Sequence, residues 1–398
     1  MNYILFDDAG RDNLLPLTYL RPIADIRIGI LTIREKWEKY LKIKTSTLTE
    51  EYLSIKYPLI KEENNILLNG SVCPNAGLVK QVLKLKPNQA LVYNDYIIAI
   101  NITTDDKGEI DISNSEMLED VITNVEHIKI NNLWDIFHKN DIALREDYLL
   151  LTAGKKSQKP SSTNTIFAGE NIFIEKGAKI ECSMINATDG PVYIGKDAEI
   201  MEGSLIRGPF ALCNNAIIKM GAKIYGATTV GPFSKVGGEL NNVVIFGYSN
   251  KAHDGFIGNS VIGEWCNIGA DTNCSNLKNT YDDVKIWNYP KKQFISSGLQ
   301  FCGLIMGDHS KCGINTMFTT GTVVGLSSNI YGSGFLRNFV PSFAWGGGPN
   351  PFGIYDIDKA IRVAETVVKR RNFDFTDEDK NIFKYVFNHT HELRQFYK

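Results

Sequence analysis

Between residues 194 and 236 the chain places an aliphatic side chain at every sixth position: Ile194, Ile200, Ile206, Leu212, Ile218, Ile224, Val230 and Val236. The spacing returns as Phe256, Ile262, Ile268 and Cys274, and again as Met306, Cys312, Phe318, Val324 and Ile330. Glycine follows many of these positions, as at Gly195, Gly231, Gly237, Gly263 and Gly307. A period of six fits neither the 3.6-residue helix nor the two-residue alternation of a simple strand. It predicts a solenoid in which each hexad makes one short strand and one turn, and three hexads close a triangular coil. The aliphatic points into the prism, and the small residue beside it lets the backbone turn. The repeat covers residues 165–341. Its first members, Ile174 and Ile180, stand two residues out of register with Ile194, so "NATDGP" is expected to hold a bulge or loop. The more polar stretch between Asn276 and Met306 is expected to project as a loop.

Residues 1–151 lack the hexad period. "YILFDD" and "NNILLNGSV" read as strands, and "ILTIREKWEKYL" carries apolar residues at a helical spacing. Strands alternating with helices predict an α/β domain with a partly parallel sheet. The stretch 152–164, rich in Lys, Ser and Thr, reads as a linker. In residues 342–398, Ile357, Ile361, Ala364 and Val368 define an amphipathic helix. A second, N-capped at Thr376, runs through Phe383, Phe387 and Leu393. These helices are expected to cap the solenoid. His389 and His391, at i,i+2, do not share a helix face and read as tail surface.

Composition narrows the function classes. A net charge of −2 gives no general attraction to nucleic acid or to anionic membrane. The opening "MNYILFDDAG" does not resemble a signal peptide, and no apolar run approaches the ~20 residues of a membrane span. Seven cysteines without a CxxC pair argue against a zinc site or a disulfide framework and suit a reducing compartment. The expectation is a cytoplasmic protein without nucleic-acid or membrane partners.

Four stretches carry a resemblance: "LPLTYLRPIADIRIGILTIREKW", "NKAHDGF", "GEWCNIGADTNCSNLKNTY" and "FVPSFAWGGG". Together they resemble an alternative, shorter-headed version of the bifunctional UDP-N-acetylglucosamine diphosphorylase/glucosamine-1-phosphate N-acetyltransferase family, a hexapeptide-repeat acyltransferase. The resemblance implies an α/β nucleotidyltransferase-like domain followed by a left-handed parallel β-helix with C-terminal helices, assembled as a homotrimer. The family pattern K-A-G-H-L-x-Y, N-I-G-A-G-T and N-Y-D-G reads here "KAHDGF", "NIGADT" and "NLKN". His253 falls on the family's catalytic base. An amine must lose a proton before it attacks the acetyl-CoA thioester, and imidazole titrates in the right range. Asn267 and Asn276 match asparagines that contact sugar and acetyl donor, and Ala270 matches the small residue beside the thioester. Phe256 replaces a tyrosine, one residue is missing before His253, and Asn241 or Asn242 stands where the family has a phosphate-binding lysine. Lys251, Lys278 and Arg337 are the candidates to supply that charge. The competing reading of the asparagines is turn stabilisation through their own side chains. Outward aromatics near the site (Trp265, Trp287 and Tyr289) are expected at the trimer interface.

Near the N-terminus, Pro16, Leu17, Thr18, Arg21 and Pro22 match the family's P-L-T and R-P residues, but its glycine-rich phosphate loop is reduced to Gly10-Arg11. With Thr18, these residues and Arg21 and Arg27 are the expected nucleotide-binding set. The family's metal-binding aspartate is replaced by Ser71, which leaves Asp7 and Asp8 as the candidate Mg²⁺ ligands, against the reading of a solvated strand end. The function implied is acetyl-CoA-dependent N-acetylation of glucosamine 1-phosphate coupled to uridylyl transfer from UTP. Two other readings stay open: a nucleotidylyltransferase for another hexose 1-phosphate with a purely structural β-helix, and a non-catalytic trimeric scaffold or sensor.

Overall fold

The computed structural model describes residues 1–103, 118–348 and 351–395. Its contacts divide the chain into two compact units. One holds Met1–Leu14, Leu20–Ile26 and Leu31–Asn131; the other holds Leu15–Tyr19, Arg27–Ile30 and Asn132–Lys398. No described helix is long and apolar enough to cross a membrane.

The first unit is built on a six-stranded mixed sheet. Asn2–Phe6 lies between Ser46–Leu48 and Asn64–Asn69, all parallel, and Asn64–Asn69 pairs antiparallel with Tyr96–Thr103. Ile4, Leu67, Ala90 and Ile100 form a core on the sheet. The helix Ile33–Leu41 begins in a capping box between Thr32 and Glu35, which satisfies two N-terminal backbone donors. Its buried Trp37 gives its indole N–H to the Val72 carbonyl at 3.0 Å.

The second unit is the solenoid, a left-handed parallel β-helix as the repeat and its resemblance imply. Strands one coil apart pair in parallel at an 18-residue offset, as in Ile200↔Ile218 and Ile218↔Val236. All eight aliphatics from Ile194 to Val236 are buried in one continuous core. "NATDGP" does lengthen a corner: Ile185 and Ile194, both inward, are nine positions apart instead of six. One register differs from expectation. Ile257, not Phe256, points inward, and Phe256 lies on the outer face. The cause is a pair of shortened coils, with Val236↔Lys251 at 15 residues and Asn250↔Asn267 at 17. There the chain runs through a corner as unbroken strands, Glu239–Gly247 and Phe256–Glu264, bent at the positive-φ residues Asn242 and Asn259.

Helices Asp135–His138 and Asn140–Thr152 pack on the prism with Arg27–Ile30. Asn140 accepts from Gly29 N at 2.7 Å and donates to Ala227 O, while Asp147 accepts from Ile30 N. Gly29 has φ +72°, and a Cβ there would stand 2.5 Å from the Asp147 carboxylate and 2.7 Å from Ala143 O. Gly29→Ala is therefore expected to destabilise the fold by about 2 kcal/mol or more, through strain and a displaced hydrogen bond. Urea unfolding of the variant measures it.

The expected loop between Asn276 and Met306 contains a hairpin, Lys285–Asn288 with Gln293–Ser296. It folds back over part of its aromatics, although Phe294 and Phe301 stay exposed. Trp287 and Tyr289 are buried, and Trp287 stacks on Phe339 with centroids 4.3 Å apart. Neither is available as an outward interface residue. At the C-terminal end, Phe352 enters the solenoid core and closes it. The helices Ile357–Lys369 and Asp377–His389 pack on the last coil, with Phe383 and Phe387 against Phe343. They lie along one corner, where Phe233, Tyr248, Trp265 and His309 occupy the same left-handed turn position in successive coils and stack in a column. Phe373 packs edge-on against the first three, and Phe383 against His309. Trp265 is thereby engaged within its own chain.

Candidate active site

His253 projects from the corner that follows the strand Asn250–Lys251, on a turn whose backbone has little freedom. Below it lies Gly238 at φ +70°, where a Cβ would come within 2.9 Å of the His253 carbonyl. At the end of the turn Gly255 has φ +108°, and a Cβ would collide with Thr272 O at 2.1 Å. Above, Asp271 N donates to Asp254 O at 3.1 Å, and Asn273 accepts from Phe256 N at 2.9 Å. These close approaches fix the turn from both sides, and the His253 ring itself is exposed. Among the described residues the imidazole makes no side-chain hydrogen bond, which leaves its nitrogens open to a ligand.

Lys251 does not reach a substrate. It occupies the inward column between Val236 and Ile268 and is 2% exposed. Its Nζ donates to Gly237 O at 3.0 Å, His253 O at 2.7 Å and Asp254 O at 3.2 Å. A lysine inside an aliphatic column is tolerable only because these carbonyls take its three N–H groups. Burial still pushes the ammonium down to about 8, with Asp254 and Asp271 pulling the other way. Lys251 is thus an internal clamp on the His253 turn.

The coil register places Ala270 directly above His253 and Ile314 one coil further, with Met220 below Gly238. Met220 and Ile314 are about 70% exposed, which makes this corner apolar on both sides of the histidine. The Phe256 ring lies over Gly258, towards Asn276. Asn276 itself ends a ladder of amides: its Nδ2 donates to Asn259 Oδ1 at 2.7 Å, and with the Asn242 amide turned to satisfy its neighbours, Asn259 Nδ2 donates to Asn242 Oδ1 at 3.0 Å. Asn242 in turn donates to Ala227 O and Phe137 O. Two members of this ladder, Asn242 and Asn259, have positive φ, the backbone of a turn. Asn267 stands at the opposite edge of the His253 face, beside Asn250. Lys278 gives its Nζ to Asp283 O within its own loop. Arg337, exposed, lies coils away from His253 along the prism, and nothing in a single chain brings the two together. The structure therefore groups His253, Phe256 and Ala270 along one corner, and places Asn267, Lys278 and Arg337 elsewhere.

In the first unit, Asp7 and Asp8 end the strand Asn2–Phe6 as expected, but both are already satisfied. Asp7 accepts from Ile23 N at 2.7 Å, Arg11 Nε at 3.1 Å and Thr49 Oγ1 at 2.5 Å. Burial raises its pKa above the usual carboxylate value against those partners. Asp8 accepts from Gly10 N on one oxygen, and from Asn69, Ser71 and Lys129 on the other, with Lys129 at 2.6 Å. Burial works to raise Asp8, yet Lys129 and these donors hold it below the ordinary value. Carboxylates committed this fully do not fit as a Mg²⁺ pair, and no group of three or more ligating side chains occurs among the described residues. Arg11, Thr18, Arg21 and Arg27 are all buried. Arg27 Nε donates to Phe246 O at 2.8 Å, and Nη1 to Ile30 O, so it serves the solenoid and not a nucleotide. Arg11 pairs with Asp7 and bonds Tyr52. Of the expected nucleotide set, only Gly10 remains partly open. Lys129, the cation that organises this cluster, stands alone in "EHIKINN" and gives no local sequence signal.

Residues 3–156 match the sugar nucleotidyl transferase family. The chain is 29% identical over 170 residues to the bifunctional sugar-1-phosphate nucleotidylyltransferase/acetyltransferase of Sulfurisphaera tokodaii, a match covering 42% of this chain and 40% of that protein. It is 26% identical over 333 residues to the bifunctional protein GlmU of Methanocaldococcus jannaschii, covering 80% of this chain and 73% of that one. Among solved structures, the UDP-N-acetylglucosamine acyltransferase LpxA of Bacteroides fragilis 9343 aligns at 15% identity over 60% of this chain and 85% of its own, with a TM-score of 0.27. That likeness is too loose to bear on function.

Proposed function

We propose that this chain, a relative of the bifunctional sugar-1-phosphate nucleotidylyltransferase/acetyltransferases, is a transferase of sugar-nucleotide biosynthesis whose β-helix N-acetylates glucosamine 1-phosphate. The observation that carries the reading is the His253 turn: an open imidazole on a corner that glycines and Lys251 hold in place. Beside it, Gly269 and Ala270 leave a strip of nearly bare backbone, which suits the narrow arm of acetyl-CoA. When bound, acetyl-CoA supplies the activated acetyl group. His253 takes a proton from the sugar ammonium, so that the amine nitrogen can bond to the acetyl carbon as the carbon–sulfur bond breaks. As the amide forms the nitrogen loses a second proton; one of the two passes through the imidazole to the departing thiolate and the other is released to solvent, which balances the transfer. Phe256, without the hydroxyl of a tyrosine, can shape the pocket but not hydrogen-bond the sugar.

Assembly as a homotrimer belongs to this reading. The column that carries Phe256 exposes Met184 and Leu205 on two adjacent coils and Met317 and Phe335 on two others, with Lys223, Glu239 and Asn273 on coils between, so it offers two apolar patches of the kind that mark an interface. A second copy would also bring cations such as Arg337 towards a neighbour's histidine. Light scattering at micromolar concentration should give three times the chain mass, and a monomer would remove this part of the proposal.

For the N-terminal unit we propose uridylyl transfer giving UDP-N-acetylglucosamine. The commitment of Asp7 and Asp8 to Arg11 and Lys129 favours, as second reading, a domain that binds the nucleotide without transferring it. Incubation with acetyl-CoA, glucosamine 1-phosphate, UTP and Mg²⁺ separates the two. Acetylated sugar phosphate together with pyrophosphate supports both activities, acetylated product without pyrophosphate supports the second reading, and no acetylated product removes the first claim.

A further inference from the structure

On the corner opposite His253, a cavity of about 620 Å³ opens between the aromatic column and the chain that follows the helix Ile357–Lys369. Its lining carries four cations and no acid: Lys235 and Lys311 on the coil face, Arg370 and Arg371 across from them. Among the described residues none of the four belongs to an ion pair. Arg371 bonds only neutral groups, the Phe233 carbonyl and Asn250 Oδ1 at 2.9 Å, and Lys311 gives its Nζ to His309 O at 2.8 Å. Burial and the neighbouring Arg370 hold the Arg371 guanidinium below its ordinary pKa, as expected where positive charges face one another without a counter-charge. Four like charges around one cavity repel, and an anion there relieves the repulsion.

The size and lining narrow the anion. The volume falls within the range of about 300–1,000 Å³ typical of small-molecule sites. Arginine forks suit phosphate oxygens, and the amides of Asn250 and Asn267 can meet hydroxyls or base edges. The ring faces of Tyr248 and Trp265 are spent on each other at 4.4 Å, so a base finds ring edges there instead of a stacking platform. Phosphate recognition must then dominate. We infer that this cavity binds the diphosphate of a nucleotide, gripped between Lys235 and Lys311 on one side and Arg370 and Arg371 on the other. Two sources share that chemistry: a nucleotide sugar, and the nucleotide end of coenzyme A. The inference does not depend on His253 acting as a base, because it is measured as binding without turnover.

The test is calorimetric titration of the full-length protein with uridine diphosphate and, separately, with coenzyme A. Lys235→Gln and Arg371→Gln are compared with wild type. Lys235 is exposed and its side chain makes no hydrogen bond among the described residues, so its variant folds even if loss of Arg371 loosens the C-terminal segment. Each variant should weaken binding of at least one probe by roughly tenfold, the loss of one charge-assisted contact, and raising the salt should weaken wild type as well. Tighter binding of uridine diphosphate assigns the site to a nucleotide sugar, and tighter binding of coenzyme A assigns it to the coenzyme; either supports the inference. No binding of either at about 1 mM, or affinities that neither variant changes, overturns it. Acetyl-transfer assays on the wild-type preparation report on His253 separately.

Discussion

His253→Ala should lower acetyl transfer by roughly a hundredfold or more while the protein stays folded. The rate effect follows from removing the imidazole that takes the ammonium proton at this corner, and general-base catalysis contributes on the order of 10²–10⁴-fold. The fold should survive because the prism is held by its buried aliphatic core, from Ile172 to Phe352, and an exposed imidazole without side-chain hydrogen bonds contributes little to it. Wild-type and variant rates at saturating acetyl-CoA, with circular dichroism as the fold control, make the comparison. An alanine variant with the wild-type rate would reduce the histidine to a turn residue.

The second large effect is expected at Lys251, although it cannot touch the substrate. Lys251→Met replaces a buried amine with a thioether that fits the aliphatic column, so the coils should still stack. What goes is the clamp on the His253 and Asp254 carbonyls. A catalytic group displaced by about 1 Å can lose as much as 10²-fold in rate, and a loss of tenfold to a hundredfold in kcat with a smaller change in KM is expected. A pH series adds a readout that a packing role alone would not give. Because burial holds the amine at about 8 against an unfolded value of 10.5, the unfolded chain binds more protons than the folded one between those values. This group's contribution to stability therefore rises with pH across that window, by up to about 3 kcal/mol. The stability of wild type relative to Lys251→Met should climb between pH 8 and 10.5. A flat difference would mean that the amine is not buried as a cation.

Lys251 also shows what the sequence could and could not carry. The repeat was legible because an aliphatic every sixth residue has one structural explanation, and the eight positions from Ile194 to Val236 all face the core. Where coils shorten to 15 and 17 residues the period no longer says which side chain turns inward. Phe256 and Lys251 were misplaced for that reason. The C-terminal helices were readable from their apolar faces, but not the corner they cover, since the column of Phe233, Tyr248, Trp265 and His309 forms only when coils stack residues 15 to 44 positions apart. The acidic pair of Asp7 and Asp8 was visible as a motif. Their partners Thr49, Asn69 and Lys129 come from three distant stretches, so nothing local announced that both carboxylates are already occupied. His253 stands out in the sequence as a histidine in matching order with Asn267 and Asn276, but the fold sets Ala270 above it, with Asn267 beside Asn250 and Asn276 in the amide ladder.

The measurement that bears most directly on the central claim is the release of free coenzyme A thiol from acetyl-CoA by the wild-type protein, with and without glucosamine 1-phosphate and with the sugar product identified by mass. Thiol release that requires the amino sugar, matched one for one by N-acetylglucosamine 1-phosphate, is the result predicted. Thiol release at the same background rate with and without the sugar, and no acetylated product, would contradict it.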